Sequence, residues 1–448
     1  MKLRTIALSG SLIATAALVV MAAQGCGGTD NNGVANGDGG SDDGGIGFGD
    51  GCTGIRCSVA ACAGGTKTTL SGTVFDPAGK TPLYNVIVYV PNEKPKPFDQ
   101  GVSCDKCGGT LTGSPITTAL TDTKGHFTLK DVPSGKNIPL VIQIGKWRRQ
   151  VVVDVAQCTD NNVDADKSRL PRNKGEGDIP QIAMVTGKLD PLECLLRKIG
   201  IDDSEFTGPP GNGRVHMFLG YGGSAVGNSK DASQLYRSVQ DMAQNDVVLL
   251  GCEGGEHAEN KPQSALDTMA AYANMGGRVL MSHYHYYWLN HGPAPFPTVA
   301  TFAPDSTIPT MITATVDTSF PKGMALAEWL VNVGASTTMG KLPINEARND
   351  VSAVPAMTSQ RWIFDDSPTS VQYFSFNTPI SVPADQKCGR IVFNDLHVAS
   401  GDVAGSPPDF PGGCTTKDLS PQEKALEFML FDLSSCIQTD NTPPMPPR

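Results

Sequence analysis

Seven histidines are present, and six of them, His216, His257, His283, His285, His291 and His397, fall after Gly213. All but His216 sit in polar stretches that follow apolar runs, in the company of Tyr221, Gly222, Cys252, Glu253, Ser282 and Asp395. Imidazole ligates metals and shuttles protons near neutral pH. His283 and His285 are two apart, so they share one face if the strand leading to them continues, as a pair of metal ligands at that spacing requires. With Asp395 or His397 they would serve a metal-assisted hydrolase. The same stretch carries Tyr284, Tyr286, Tyr287 and Trp288, which supports two other readings: a polar or sugar-binding cleft, and an aromatic wall packed under a loop. The ligand-binding candidates are Tyr221, Glu253, His257, His283, His285, Asp395 and His397. The metal candidates are His283 and His285, and no catalytic residue is singled out. Cys252 is open to a nucleophilic role, although disulfide use is the commoner fate of an exported cysteine.

Alternating strands and helices position these residues. Apolar strands are predicted at Arg214–Leu219, Asp246–Leu250 and Arg278–Met281, separated by helices at Ala232–Ala243 and Gln263–Asn274. That alternation means crossover units and a mainly parallel sheet. Further strands are predicted at Thr310–Val316, Arg361–Phe364, Val371–Phe376 and Arg390–Asn394, with helices near Met324–Val333 and at Pro421–Leu433. In such a sheet ligands bind beyond the carboxyl ends of the strands, where the candidates cluster.

The stretches Asp246–Gly255 (DVVLLGCEGG), Tyr272–His283 (YANMGGRVLMSH), Pro321–Val333 and Arg390–His397 resemble the flavodoxin-like core of class I glutamine amidotransferases, and more closely its ThuA-like branch. The likeness covers about residues 213–436. In true amidotransferases the turn after the third strand carries the nucleophilic cysteine. Here it holds Ser282 and His283, a departure from the glutamine-hydrolysing pattern.

Between about Thr66 and Ile182 short β-rich runs alternate with turn signals and show no helical period, which argues for a β-sandwich. The order GTVFD, PLYNVIVYV, TDTKGHFTL, VPSGKNIPLVI resembles the carboxypeptidase regulatory-like, transthyretin-like module. In that module Gly125, Phe127 and Leu129 would mark a core hairpin, with His126 facing outward. Such modules serve as adhesive or spacer units, and some bind carbohydrate.

The start of the chain has Lys2 and Arg4, an apolar stretch from Ile6 to Ala23, and small residues before Cys26, the layout of a secretory signal. Ala23-Gln24-Gly25-Cys26 resembles a bacterial lipobox, which implies cleavage before a lipidated Cys26. Gln24 departs from the usual Ser or Ala, and Gly27 favours the outer membrane. Acyl chains, at ~0.8 kcal/mol per buried methylene, would hold the protein on the bilayer. Gly27–Asp50 is mostly Gly, Asp, Asn and Ser, with almost nothing apolar, five acids and no base, a solvated tether of roughly 25 to 30 Å average span.

Export makes the twelve cysteines disulfide formers. With Cys26 lipidated, an odd number remains, so at least one stays free or pairs between chains. Cys52, Cys57 and Cys62 are expected to staple the end of the tether, and Cys388, Cys414 and Cys436 to brace the last strand and helix. Cys104 and Cys107 have the gap of zinc knuckles and redox motifs, yet no second pair accompanies them and Gly108-Gly109 follows. Loop-stapling disulfides are favoured there.

The formal charge is −10, and loss of Lys2 and Arg4 with the leader makes it −12. A nucleic-acid partner is therefore not expected, because phosphate binding needs clustered bases. Only Lys146, Arg148 and Arg149 form a basic group. Gly220, Gly222 and Ala225 with Glu253 only faintly suggest a dinucleotide fingerprint, and no cofactor is expected. The predicted organisation is a leader (1–25), a lipidated tether with a cysteine cluster (26–65), a β-sandwich (66–182), an α/β domain (186–438) and a Pro-rich tail (439–448). The expected role is a non-catalytic binding or adhesion protein of the cell outer membrane, lipid-anchored at Cys26, periplasmic or surface-exposed, with a polysaccharide or small polar ligand. The alternative is an extracytoplasmic hydrolase with its site at the strand ends.

Overall fold

The computed structural model describes residues 52–447, except 305–306, 367–368, 399–401 and 403–408. The leader, Cys26 and the tether before Cys52 lie outside the described residues. The first strands are β1 (Thr69–Thr73), β2 (Ile87–Pro91), β3 (Pro115–Leu120), β4 (His126–Lys130), β5 (Gly135–Ile144), β6 (Trp147–Val155) and β7 (Asp160–Asn162). They form two sheets, ordered β4-β1-β7 and β3-β2-β5-β6. In β4, Phe127 and Leu129 are buried while His126, Thr128 and Lys130 are exposed, the period-two pattern of a strand with one covered face. His126 therefore faces outward, as expected.

A third, larger sheet follows. Its strands are β8 (Ile182–Thr186), β9 (Phe206–Thr207), β10 (Val215–Leu219), β11 (Lys230–Asp231), β12 (Val247–Leu250), β13 (Arg278–Ser282), β15 (Met311–Val316), β16 (Lys341–Asn345), β18 (Gln360–Asp366), β19 (Thr369–Thr378) and β20 (Gly389–Asn394); β14 (Thr301–Phe302) and β17 (Val351–Ala353) pair separately. The order is β11-β10-β8-β12-β13-β20-β19-β18-β15-β16, with β9 beside β10. Pairing is parallel from β11 to β20 and antiparallel from β20 to β16. The sheet is thus parallel through the strands that carry the candidate residues and gains an antiparallel far half. Its far half is built from hairpin-like neighbours such as β18 and β19, which need no helical crossover.

The helices are α1 (Leu192–Lys198), α2 (Val239–Ala243), α3 (Gln263–Asn274), α4 (Tyr287–Asn290), α5 (Pro321–Asn332) and α6 (Pro421–Ser434). The single helix expected at Ala232–Ala243 is instead a 3-10 turn at Ala232–Gln234 and the short α2. Ser238 breaks the run by accepting a hydrogen bond from Asp241 N at the start of α2. Ser420 and Glu423 form a reciprocal capping box that starts α6, with Pro421 at its first position.

Parallel strands covered on both faces read as continuous apolar runs, and β8 is fully buried along its length. Ile182 and Met184 join one core, whereas Ala183 and Val185 join another on the opposite face. The first of these cores is shared with the sandwich. Trp147 lies edge-on to Phe431 of α6 at 5.7 Å, Tyr84 stacks on Phe428 at 5.8 Å, and Trp329 of α5 sits 5.4 Å from Phe428. Residues from Cys52 onward accordingly cluster as one unit.

A carboxyl pair lies at this junction. Asp76, in the turn after β1, accepts from Lys80 N at 2.7 Å and Thr81 N at 3.2 Å. Burial pushes its carboxyl up to about 6, with those two amides acting against the shift. Glu427 of α6 is pushed well above the usual carboxylate range by burial and by the Asp76 charge, with Lys424 opposing. Both shifts raise the folded-state value, so their contribution is present below the unfolded values and is lost as pH rises through the folded ones. The pair's own contribution to stability is therefore expected to fall between about pH 5 and pH 7, read as the change with pH in the melting-temperature difference between wild type and Glu427→Gln. A difference that stays constant with pH would contradict the assignment.

Among the described residues five disulfides join Cys52–Cys57, Cys62–Cys158, Cys104–Cys388, Cys107–Cys436 and Cys194–Cys414. Cys104 and Cys107 are thus staples, each to a different part of the large sheet's domain. Cys252 is the free cysteine among the described residues.

Candidate functional site

β8 is flanked by β10 on one side and β12 on the other, so successive crossovers leave it in opposite directions. A crevice opens beyond the carboxyl end of a strand at such a reversal. The backbones meet closely there. A Cβ on Gly187 would stand 2.3 Å from the carbonyl oxygens of both Gly251 and Cys252, so only glycine fits.

A cavity of about 250 Å³ lies at this end, lined by Gly220, Tyr221, Ser233, Tyr236, Glu253 and Lys261 among others. Tyr221 is half exposed, and its ring stacks on His257 at 3.9 Å. Glu253 accepts from Tyr221 N at 2.9 Å and from Lys261 Nζ at 2.5 Å. Burial opposes ionisation of Glu253, but the neighbouring cationic charge and these hydrogen bonds outweigh it and lower its carboxyl below the usual value. The ion pair is buried on both sides, which holds two charged heads rigidly at the cavity wall. Tyr221, Glu253 and His257 are therefore brought together as expected, and Lys261 joins them.

A second cluster is buried deeper. Cys252 Sγ lies 3.2 Å from His283 Nδ1, and His283 Nε2 lies 3.5 Å from Asp350 Oδ2. The His283 and His397 rings are 5.1 Å apart. One ligand atom from each of Cys252, His283 and His397 falls within 4.8 Å of the others. Asp395 Oδ2 accepts from Asp350 N at 3.0 Å. Burial, and then the nearby Asp350 charge, push the Asp395 carboxyl well above its ordinary value. Burial also pushes the Cys252 thiol up to about 12 and holds the His283 and His397 imidazoles down at about 2 and 3. The trio is therefore uncharged near neutrality, unlike the thiolate–imidazolium pair of a cysteine nucleophile.

No protein-family model matches the chain, and no curated protein matches it significantly. Two solved structures match over 32% of the chain. One is a C-terminal interface mutant of a type II cohesin–X-dockerin complex from Acetivibrio cellulolyticus, at 17% identity and TM-score 0.15 over 75% of that chain. The other is the corresponding N-terminal interface mutant, at 18% identity and TM-score 0.16 over 78% of that chain. Scores this low carry no argument about fold or function.

His285 does not join the metal-type cluster, which corrects the expected His283–His285 pair. The strand ends at Ser282, and His283 adopts a left-handed φ of 45° that opens a 3-10 turn, His283–Tyr286. The two rings therefore lose the common face of an extended strand. His285 Nε2 is 2.9 Å from Gly251 O and must donate to it, while Nδ1 accepts from Trp288 Nε1 at 3.1 Å. Both ring nitrogens are thus committed, the tautomer is fixed, and burial lowers its imidazole to about 4. Tyr286 and Trp288 are buried, so that part of the stretch is the aromatic wall. Ser282 donates to Asp190, whose carboxyl burial pushes up to about 7, and His291 is exposed against Tyr287. Asp350, Asp190 and Lys261 were missed by sequence reasoning. Asp350 sits 45 residues before its partner Asp395 with no motif around it.

Proposed function

We propose that this is an exported envelope protein, acylated at Cys26 and held on the outer membrane, whose α/β half binds a small polar ligand of carbohydrate type. The observation that carries this reading is the cavity at the strand-order reversal, with the half-exposed Tyr221 ring beside the rigid Glu253–Lys261 pair. An aromatic face and fixed polar groups around a concave site are what recognition of a hydroxylated ligand uses. Five disulfides are in keeping with an oxidising compartment. The parallel run from β11 to β20 supports the ThuA-like reading, and the two small sheets support the carboxypeptidase regulatory-like one. A hydrolase at the same strand ends is the second reading, favoured by the Asp350–Asp395 pair beside His283.

Titration calorimetry of the full chain against a panel of soluble oligosaccharides tests the binding role. Tyr221→Ala is expected to weaken the best binder about tenfold, or ~1.4 kcal/mol. No binding by any member of the panel would remove the carbohydrate reading. Palmitate labelling that survives Cys26→Ser would remove the anchor.

A further inference from the structure

We infer that Cys252, His283 and His397 hold one thiophilic divalent cation of the zinc type beneath the carboxyl ends of β12, β13 and β20, with Asp350 positioning His283. A thiolate with two imidazoles is a borderline-soft donor set of the kind that suits zinc and is poorly matched to calcium or magnesium. The spacing agrees. With metal–sulfur near 2.3 Å and metal–nitrogen near 2.0–2.1 Å, the sulfur–nitrogen edge of a tetrahedron is about 3.5 Å, and Cys252 Sγ stands 3.2 Å from His283 Nδ1. All three donor atoms already fit within 4.8 Å.

Two independent observations point to a guest. First, His397 is 1% exposed and its Nε2 has no hydrogen-bond partner among the described residues, an arrangement that is costly unless a ligand satisfies the atom. Second, His283 presents Nδ1 to the thiol while Nε2 faces Asp350 Oδ2 at 3.5 Å. Closing that 3.5 Å separation to a hydrogen bond on metal binding would fix the imidazole's tautomer and strengthen it as a donor. His283 also holds a left-handed backbone, φ 45°, a strain of the sort retained at functional positions.

The remaining fates of Cys252 fit less well. The ten other described cysteines are consumed in the five disulfides. The thiol is 0% exposed, so a substrate carbonyl has no path to it. Binding balances simply: the cation replaces the thiol proton, Cys252 becomes a thiolate ligand, and one proton is released per ion bound. The site is separate from the Tyr221 cavity, so it stands or falls independently of the sugar-binding proposal.

The test uses the full oxidised chain, treated with chelator and titrated with cobalt(II) and then zinc(II). One cobalt per chain is expected, with a thiolate-to-cobalt charge-transfer band that zinc abolishes. The band is expected to vanish in Cys252→Ser and the affinity to collapse in His397→Gln, with both variants checked for folding by circular dichroism. Asp350→Asn is expected to keep the band while weakening affinity about 10- to 100-fold, which a merely structural role would not do. The exposed His291→Ala is expected to change nothing. A wild-type chain that takes up no stoichiometric cobalt, or a band that persists in Cys252→Ser, would overturn the inference; the wild-type result decides even where a variant fails to fold.

Discussion

Trp329→Ala is expected to lower unfolding free energy by about 3–5 kcal/mol, the range for emptying a large aromatic site in a core. The Trp329 ring is 0% exposed and packs 5.4 Å from Phe428, while Nε1 donates to Pro82 O at 2.7 Å. Pro82 belongs to the sandwich and Phe428 to α6, so one side chain closes the seam between the two halves. Trp329→Phe should retain most of the packing and lose mainly the hydrogen bond, about 1 kcal/mol. Urea denaturation with disulfides intact, followed by far-ultraviolet circular dichroism, measures both. A native chain that unfolds in two well-separated steps, with Trp329→Ala moving only one, would contradict a shared core.

The second large effect is expected from the two clips made by the loop before β3. Cys104–Cys388 and Cys107–Cys436 span 284 and 329 residues. Closing such long loops restricts the unfolded chain most strongly, and loss of a native bridge typically costs about 2–5 kcal/mol. Replacing either pair by serines should therefore lower the melting temperature clearly. Removing Cys52–Cys57, only five residues apart, should matter least. The ranking is the test: a short bridge that outweighs the long ones would mean that native-state contacts, and not chain entropy, set their contribution.

Where punctuation and period agreed, the sequence placed elements closely. The helix expected at Gln263–Asn274 has those bounds, because Pro262 starts it and Gly276-Gly277 follows it. β4 was legible from its alternation. The strand β8 was not, since five residues buried on both faces show no alternation and the run is too short to separate strand from helix. The mixed character of the large sheet was hidden for a related reason: pairing direction depends on distant partners. Within the site, strand-end logic brought forward Tyr221, Glu253, His257, His283, Asp395 and His397. It failed at His285 because one backbone dihedral at His283 redirected the chain. It could not single out Cys252 as unpaired, because pairing was decided by ten other sulfurs.

The placement of β8 has a practical consequence for dissecting the molecule. A fragment begun at the apparent boundary near residue 186 would discard residues 182–185, nearly all of the strand to which both β10 and β12 bond. Two inner edges would then stand open, each a template for association with other copies. Such a truncation is expected to precipitate on expression, whereas one begun at Cys52 keeps the seam, the staples and the central ribbon together.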